Sequence, residues 1–191
     1  MHIDVNILSA CADNDRRAQK QLYEYCFRLL MPLCLRFHSN EEDARSSLNI
    51  AFLKITKGLG GIDLKEVNFN AWSKRITNNT LIDEYRKNKI QTDHYVSKET
   101  DRELDYYSDG NQNEAISDFG CDVIMKMLKE IPETSSHIFN LYVIDGYTHR
   151  EIGELLGMSE GTSKWHLSTA RKLLREKIEK MELKTPQKLV I

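Results

Sequence analysis

Glycine and proline are scarce in this chain: nine and three among 191 residues. That scarcity excludes collagen-like and Gly/Pro-rich disordered chains, and it argues against a sheet protein built on many tight turns. Long apolar runs are missing too. The most apolar stretch, Leu29 to Leu35, is short and interrupted by Pro32, whereas a bilayer span needs about 20 apolar residues, so no membrane insertion is expected. The opening MHIDVNILSACADNDRRAQK has neither the basic start nor the apolar core of a secretion signal, and the expected compartment is the cytoplasm. Cys11, Cys26, Cys34 and Cys121 form no C-x-x-C pair, which predicts free thiols rather than a disulfide framework. The six histidines have no metalloprotease or zinc-finger spacing. Paired carboxylates, a nucleophile motif and a phosphate loop are all absent from the sequence. No metal, no cofactor and no enzymatic activity are therefore expected.

Net charge is also nearly absent. Lys plus Arg number 27 and Asp plus Glu 29, for a formal charge of −2. Such a balance excludes a uniformly basic nucleic-acid coater and a strongly acidic tail. It leaves open a local basic face, because binding depends on where charge sits.

What is present is helical periodicity. Leu22, Tyr25, Cys26, Leu29, Leu30 and Leu33 recur at helical offsets, as do Ala44, Leu48, Ala51, Phe52 and Ile55. Gly58, Gly60 and Gly61 then punctuate the chain, and a further helix is predicted from about Asn70 to Lys89. From Thr92 to Asp122 the pattern fails: nine acids stand against Lys98 and Arg102, a local balance of −7, around the turn-rich run SDGNQN. This reads as a flexible acidic linker. Beyond it one helix is predicted from Val123 to Ile131, and another with Pro132 in its first turn, ending at Gly146. The fold class is all-α: two small helical bundles and a linker, with domains at 1–91 and 121–183, the linker at 92–120 and a loose tail at 184–191.

The stretch YTHREIGELLGMSEGTSKWHLSTARKLLREK carries the clearest motif. Thr148 and Glu151 form a capping box, so a helix starts there. Gly157 can turn the chain and Ser159 can cap the next helix. Two helices joined by such a turn are a helix-turn-helix, whose second helix enters the DNA major groove. On the helical wheel Ser163, Leu167, Ala170, Leu174 and Ile178 face the core; Trp165, Ser168, Thr169 and Lys172 lie opposite, flanked by Lys164, Arg171 and Arg175. From Ser159 to Lys180 the balance is +3, which suits phosphate contact, while Trp165 and the small hydroxyls suit base edges. An ordinary amphipathic helix with a solvated basic face is the plain alternative.

A second basic surface lies in WSKRITNNTLIDEYRKNK, Trp72 to Lys89. Trp72, Ile76, Asn79 and Asp83 share one side of a helix at 100° per residue, with Asn and Asp as polar anchors and Arg86 one turn from Asp83. Basic and aromatic groups together suit an unpaired strand; the alternative is that Trp72 and Tyr85 are core.

The skeleton Trp72-x-x-Arg75-Ile76-x-x-Asn79-x-x-Ile82-Asp83-x-x-Arg86 resembles region 2 of extracytoplasmic-function (ECF) sigma factors of bacterial RNA polymerase. AQKQLYEYCFRLLMPLCLRF and the FLKI of Phe52 to Ile55 look like that region's opening helices. The second half resembles region 4, and EGTSK with LSTARKLL is similar to sequences common in Bacteroidetes members. The resemblance implies a non-enzymatic protein that binds core polymerase, through the β′ clamp and the β flap, and promoter DNA, with an anti-sigma factor as a further partner. It implies that Asp43, Arg45, Ser46 and Asn49 meet the polymerase. By the same resemblance Asn68, Asn70, Trp72, Lys74, Arg75, Asn78, Asn79 and Arg86 meet the −10 element, and the loop from Leu59 to Asn70 holds a flipped base. Thr162, Lys164, Trp165, Ser168, Thr169, Arg171 and Lys172 then meet the −35 element, and the linker threads through the polymerase. The clamp-binding helix departs from the family's D-A-E-D-L-x-Q-E: here Asp43 to Ile50 reads DARSSLNI, which alters the docking surface. In the recognition helix Thr169 replaces a frequent Arg, and Trp165 stands where a small residue is common. A stand-alone helix-turn-helix regulator and a sigma-like protein with altered docking are the competing readings.

Overall fold

The computed structural model describes residues 3–93 and 121–182, and the chain divides into two compact units, Met1–Lys98 and Glu99–Ile191. Among the described residues there are eight α-helices and no strand. Residues 94–120 and 183–191, the greater part of the expected linker and the tail, lie outside the described residues.

The first unit holds α1 (Val5–Ala12), α2 (Arg16–Phe37), α3 (Glu41–Gly58) and α4 (Phe69–Asp93). Each helix begins where a short polar side chain accepts a bond from a first-turn amide. Asp4 caps α1, Asp15 caps α2 at 2.7 Å, Asn40 caps α3 at 2.8 Å and Asn68 caps α4 at 3.1 Å. Glu41, Glu42 and Asp43 in the first turn of α3 add charge suited to the helix dipole. The core is the predicted one on α2 and α3: Leu22, Tyr25, Cys26, Leu30 and Leu33 against Ala44, Leu48, Ala51 and Ile55, while Leu29 and Phe52 are half-buried. Pro32 does not break α2. It is exposed, so its ring and missing amide fall on the solvent side of the helix rather than in the packed core. Cys11, Cys26 and Cys34 are free and buried. Burial pushes the Cys11 thiol up to about 11, and the Cys26 and Cys34 thiols up to about 12.

α4 is packed by an unexpected side. Phe69, Ser73, Thr77, Asn78, Thr80, Leu81 and Ile82 are buried, Trp72 and Ile76 are half-buried, and Asn79 and Asp83 are exposed. The anchoring face is thus turned by about one residue from the predicted one. The hydroxyls explain how so polar a face can be buried. Ser73 donates to the Asn70 carbonyl at 3.2 Å, Thr77 to that of Ser73 at 2.9 Å and Thr80 to that of Ile76 at 2.8 Å, so each satisfies itself along its own helix. Asp83 pairs with Lys54 of α3 at 3.4 Å rather than with Arg86. Ser47 of α3 joins the end of α2 to α4: it bonds His38 Nε2 at 2.7 Å and donates to Glu84.

The second unit holds α5 (Cys121–Leu128), α6 (Glu133–Phe139), a π turn at Asn140–Ile144, α7 (His149–Leu156) and α8 (Glu160–Glu182). Pro132 caps α6 and Gly146, at φ 76°, ends the predicted segment. The capping box at Thr148 and Glu151 is complete. Gly157 adopts the left-handed conformation at φ 69°, and the Ser159 hydroxyl accepts from the Thr162 amide at 3.0 Å. All five residues assigned to the core side of α8 are buried, and Lys177 pairs with Glu130 at 2.7 Å. The two helices of the motif meet tightly: a Cβ added at Gly153 would lie 2.7 Å from the Met158 carbonyl oxygen, whereas one at Gly161 would meet only the Ser159 hydroxyl at 3.6 Å.

Alanine ordinarily favours a helix over glycine by about 1 kcal/mol. Gly161→Ala should therefore leave thermal stability unchanged or raise it. Gly153→Ala should destabilise the second unit by about 1–3 kcal/mol through overpacking, read as a lower unfolding midpoint by circular dichroism.

Candidate nucleic-acid interface

The outward face of α8 gathers the expected recognition residues. Lys164, Trp165 and Lys172 are exposed, and Thr162, Ser168, Thr169 and Arg171 are half-buried along the same face. Trp165 is 39% exposed, a large aromatic surface for a helix that packs its other side. Its indole stands edge-on to the His166 ring, 4.7 Å between centroids, and His166 Nδ1 bonds the buried Ser135 hydroxyl of α6 at 2.9 Å. The Trp165 rotamer is thereby backed by a ring that is itself anchored. Lys164 lies 3.9 Å from Glu160 one turn back, an exposed pair worth little in water, so its ammonium is readily given to a stronger anion.

α7 is joined to the packed side of α8 through His149. Its Nδ1 bonds the buried Ser163 hydroxyl of α8 at 2.9 Å, and its ring stacks on Tyr142, 4.3 Å between centroids and 22° between planes. Burial holds the imidazole below its ordinary value, helped by Lys164 and Arg171 and opposed by Glu160. Neither His149 nor Gly153 stood out in the sequence. Both act between helices, and a single-helix pattern carries no signal for that.

In the first unit α4 carries the other basic face, where Lys74, Arg75, Asn79 and Arg86 are exposed. Asn78 does not join them. It is 2% exposed, because one residue along a helix turns the side chain by about 100° and into the packed side. Trp72 divides its surface between core and solvent. A Cβ at Gly58 would lie 3.0 Å from its indole, so glycine there lets the ring lie against the end of α3. Phe69 follows at 5.9 Å and Tyr25 at 6.2 Å from Phe69.

Before α4 the chain from Leu64 to Asn70 faces Ile3, Val5 and Leu8 across a groove of about 310 Å³. That volume is at the low end for small-ligand sites. The two asparagines at its edge differ. Asn70 Oδ1 accepts from the Tyr25 hydroxyl at 2.6 Å. Asn68 is exposed, spends its Oδ1 on the α4 cap and keeps both Nδ2 hydrogens for a ligand.

The α3 residues Asp43, Arg45, Ser46 and Asn49 are all exposed, but three of them are engaged within the protein. Asp43 accepts from Asn40 Nδ2 at 2.7 Å, and Asn49 accepts from the Tyr23 hydroxyl at 2.9 Å. Arg45 bonds Glu41 at 2.8 Å and lies over the Phe27 ring. The same helix exposes two large apolar side chains, Ile50 at 40% and Leu53 at 58%. Among the described residues no cluster of His, Cys, Asp and Glu could hold a metal ion, and no helix is long and apolar enough to cross a membrane.

Comparison with known proteins matches each of the two units to a family region. Residues 22–90 match the family described as sigma-70 region 2, and residues 121–174 match sigma-70, region 4. The chain is 27% identical over 132 residues to RNA polymerase sigma factor SigZ of Bacillus subtilis (strain 168), over 69% of this chain and 70% of that protein. It is 26% identical over 166 residues to ECF RNA polymerase sigma factor SigW of the same organism, over 83% of each. A solved complex of the sigma factor RpoE with the anti-sigma factor NepR, from Bartonella quintana, is similar at a TM-score of 0.49 and 19% identity, covering 84% of this chain and 96% of that one.

Proposed function

The chain belongs to the sigma-70 family as a sigma factor of the extracytoplasmic-function kind, and we propose that its α8, α4 and α3 faces divide the labour of promoter recognition and polymerase docking. A sigma factor of this kind binds core RNA polymerase, directs it to specific promoters and helps melt the −10 element. The observation that carries the assignment is the presence of both sigma-70 regions in one chain, region 2 at 22–90 before region 4 at 121–174.

In this reading α8 enters the major groove of the −35 element. Lys164, Arg171 and Lys172 meet phosphates, and Trp165, Ser168, Thr169 and Thr162 meet base edges. The exposed face of α4, with Lys74, Arg75, Asn79 and Arg86, follows the duplex and the strand that parts at −10, and Trp72 offers its solvent side as a stacking edge. The groove between α1 and the Leu64–Asn70 segment receives the unstacked base, with the Asn68 amide as hydrogen-bond donor. A base costs a few kcal/mol to unstack, and the apolar wall of Ile3, Val5 and Leu8 offsets part of that. On α3 the docking surface is led by Ile50 and Leu53 rather than by carboxylates, with Ser46 beside them. The chain performs no covalent chemistry, works in the cytoplasm where the polymerase is, and is of Bacteroidetes type by its EGTSK and LSTARKLL segments. An anti-sigma factor is its expected inhibitor, and the acidic segment threads the polymerase channel.

Run-off transcription with purified bacterial core polymerase tests the assignment: transcripts that depend on the added protein are expected, and duplex binding without core binding would favour a stand-alone regulator. Lys164→Ala and Arg171→Ala should each weaken duplex binding and lower the slope of log K against log salt by about 1; unchanged affinity in both would remove α8 from the groove. Asn68→Ser keeps a good cap but loses the amide. Its thermal midpoint should match the parent while open-complex formation at the promoter drops. Leu53→Asp should raise the Kd for core polymerase by more than about tenfold, on the order of 2 kcal/mol for a buried apolar anchor. If docking were led by charge instead, salt titration rather than this substitution would produce the loss.

A further inference from the structure

Resting on the reading that α8 enters the major groove, we propose that His149 is a proton-gated contact to the DNA phosphate backbone, neutral in the free protein and protonated when the duplex docks. Binding by this domain would then take up a proton.

The argument begins with position. In a helix-turn-helix the first helix crosses the DNA backbone while the second enters the groove. His149 is the first residue of α7, so it stands at the end of the crossing helix. The ring is held on two sides, by the Ser163 hydroxyl at Nδ1 and by the Tyr142 face. Its Nε2 has no protein partner among the described residues. In the capping box the Thr148 hydroxyl accepts from the Glu151 amide, which leaves the His149 and Arg150 amides at the helix start to meet an anion.

Burial of the half-buried ring opposes its protonation first, and the charges around it add to that. The groups of α8 that act on it are Lys164 and Arg171, which oppose its protonation, and Glu160, which favours it. The π turn on its other side contributes the uncharged Tyr142 ring. On α7 itself Glu151 is engaged by the Thr148 amide and hydroxyl, and Arg150 by Glu154 at 3.2 Å. A third positive charge beside Lys164 and Arg171 is therefore costly in the free protein. A phosphate seated among the three reverses this: it neutralises the two cations and accepts the Nε2 hydrogen. When protonated, the ring donates at both nitrogens, to Ser163 and to the phosphate.

The test is fluorescence anisotropy of the full chain on a labelled mixed-sequence duplex at low salt, between about pH 5.5 and about pH 8. The Kd should fall about tenfold as pH drops across that window, the equivalent of one pKa unit between free and bound states. His149→Gln keeps a hydrogen-bonding partner for Ser163 and cannot charge; its Kd should be flat in pH. His166→Gln, which removes the half-buried imidazole of α8, should keep the slope. Calorimetry of the parent in two buffers of different ionisation enthalpy should report net proton uptake, a readout that needs no variant. Binding that is flat in pH, a slope that survives His149→Gln, or one that vanishes in His166→Gln would overturn the proposal and leave the groove assignment standing. Absence of duplex binding at every pH would overturn both.

Discussion

Both basic helices, α4 and α8, depend on burying a polar face without burying charge. A helix rich in Lys, Arg and Asn has few apolar residues to spend on its packed side, yet it must be anchored firmly enough to hold the other side rigid. In α4 the solution is Ser73, Thr77 and Thr80, buried hydroxyls that return their hydrogens to carbonyls of their own helix. In α8 it is Ser163, buried and bonded to His149. Each buried hydroxyl would otherwise cost roughly 1–3 kcal/mol unpaired. Because they are paired at short range, close approach of neighbouring helices is possible, and the charged faces are left for solvent and ligand.

The same device marks where the sequence was legible and where it was not. The α2 and α3 faces follow apolar periodicity, and all five core positions of α8 could be read from the wheel, because there Leu, Ala and Ile outnumber polar residues on the packed side. Helix starts at Thr148 and Ser159 and the turn at Gly157 were equally plain, since capping chemistry is local. On α4 a wheel through Trp72, Ile76, Asn79 and Asp83 follows two bulky apolar residues. Self-satisfied threonines took the interior instead, carrying Asn78 inward and Asn79 outward. The roles of Gly153 and His149 were silent because they arise between helices. The π turn at Asn140–Ile144 was silent too, for its fifth residue per turn leaves no compositional trace. Pro32 interrupts the apolar run but not the helical periodicity, and its exposed position lets α2 pass through it.

The near-zero net charge also takes on a spatial meaning. Basic side chains lie on the outward faces of α4 and α8. On α3 the exposed Asp43 is engaged by the Asn40 cap, the exposed Arg45 by Glu41 and Phe27, and two apolar side chains stand clear. In the proposed reading, docking through these apolar contacts is less sensitive to ionic strength than docking through carboxylates, so the hold on polymerase and the hold on DNA would respond differently to salt.

The buried thiols of the first unit carry a last consequence. With Cys11 raised to about 11, and Cys26 and Cys34 to about 12, on the order of one Cys11 in ten thousand is a thiolate at neutral pH, and fewer still of the other two. Peroxides and electrophiles react with the thiolate, so these three sulfurs are nearly inert to them. An oxidant that acts on the first unit must therefore work through chemistry outside these three side chains.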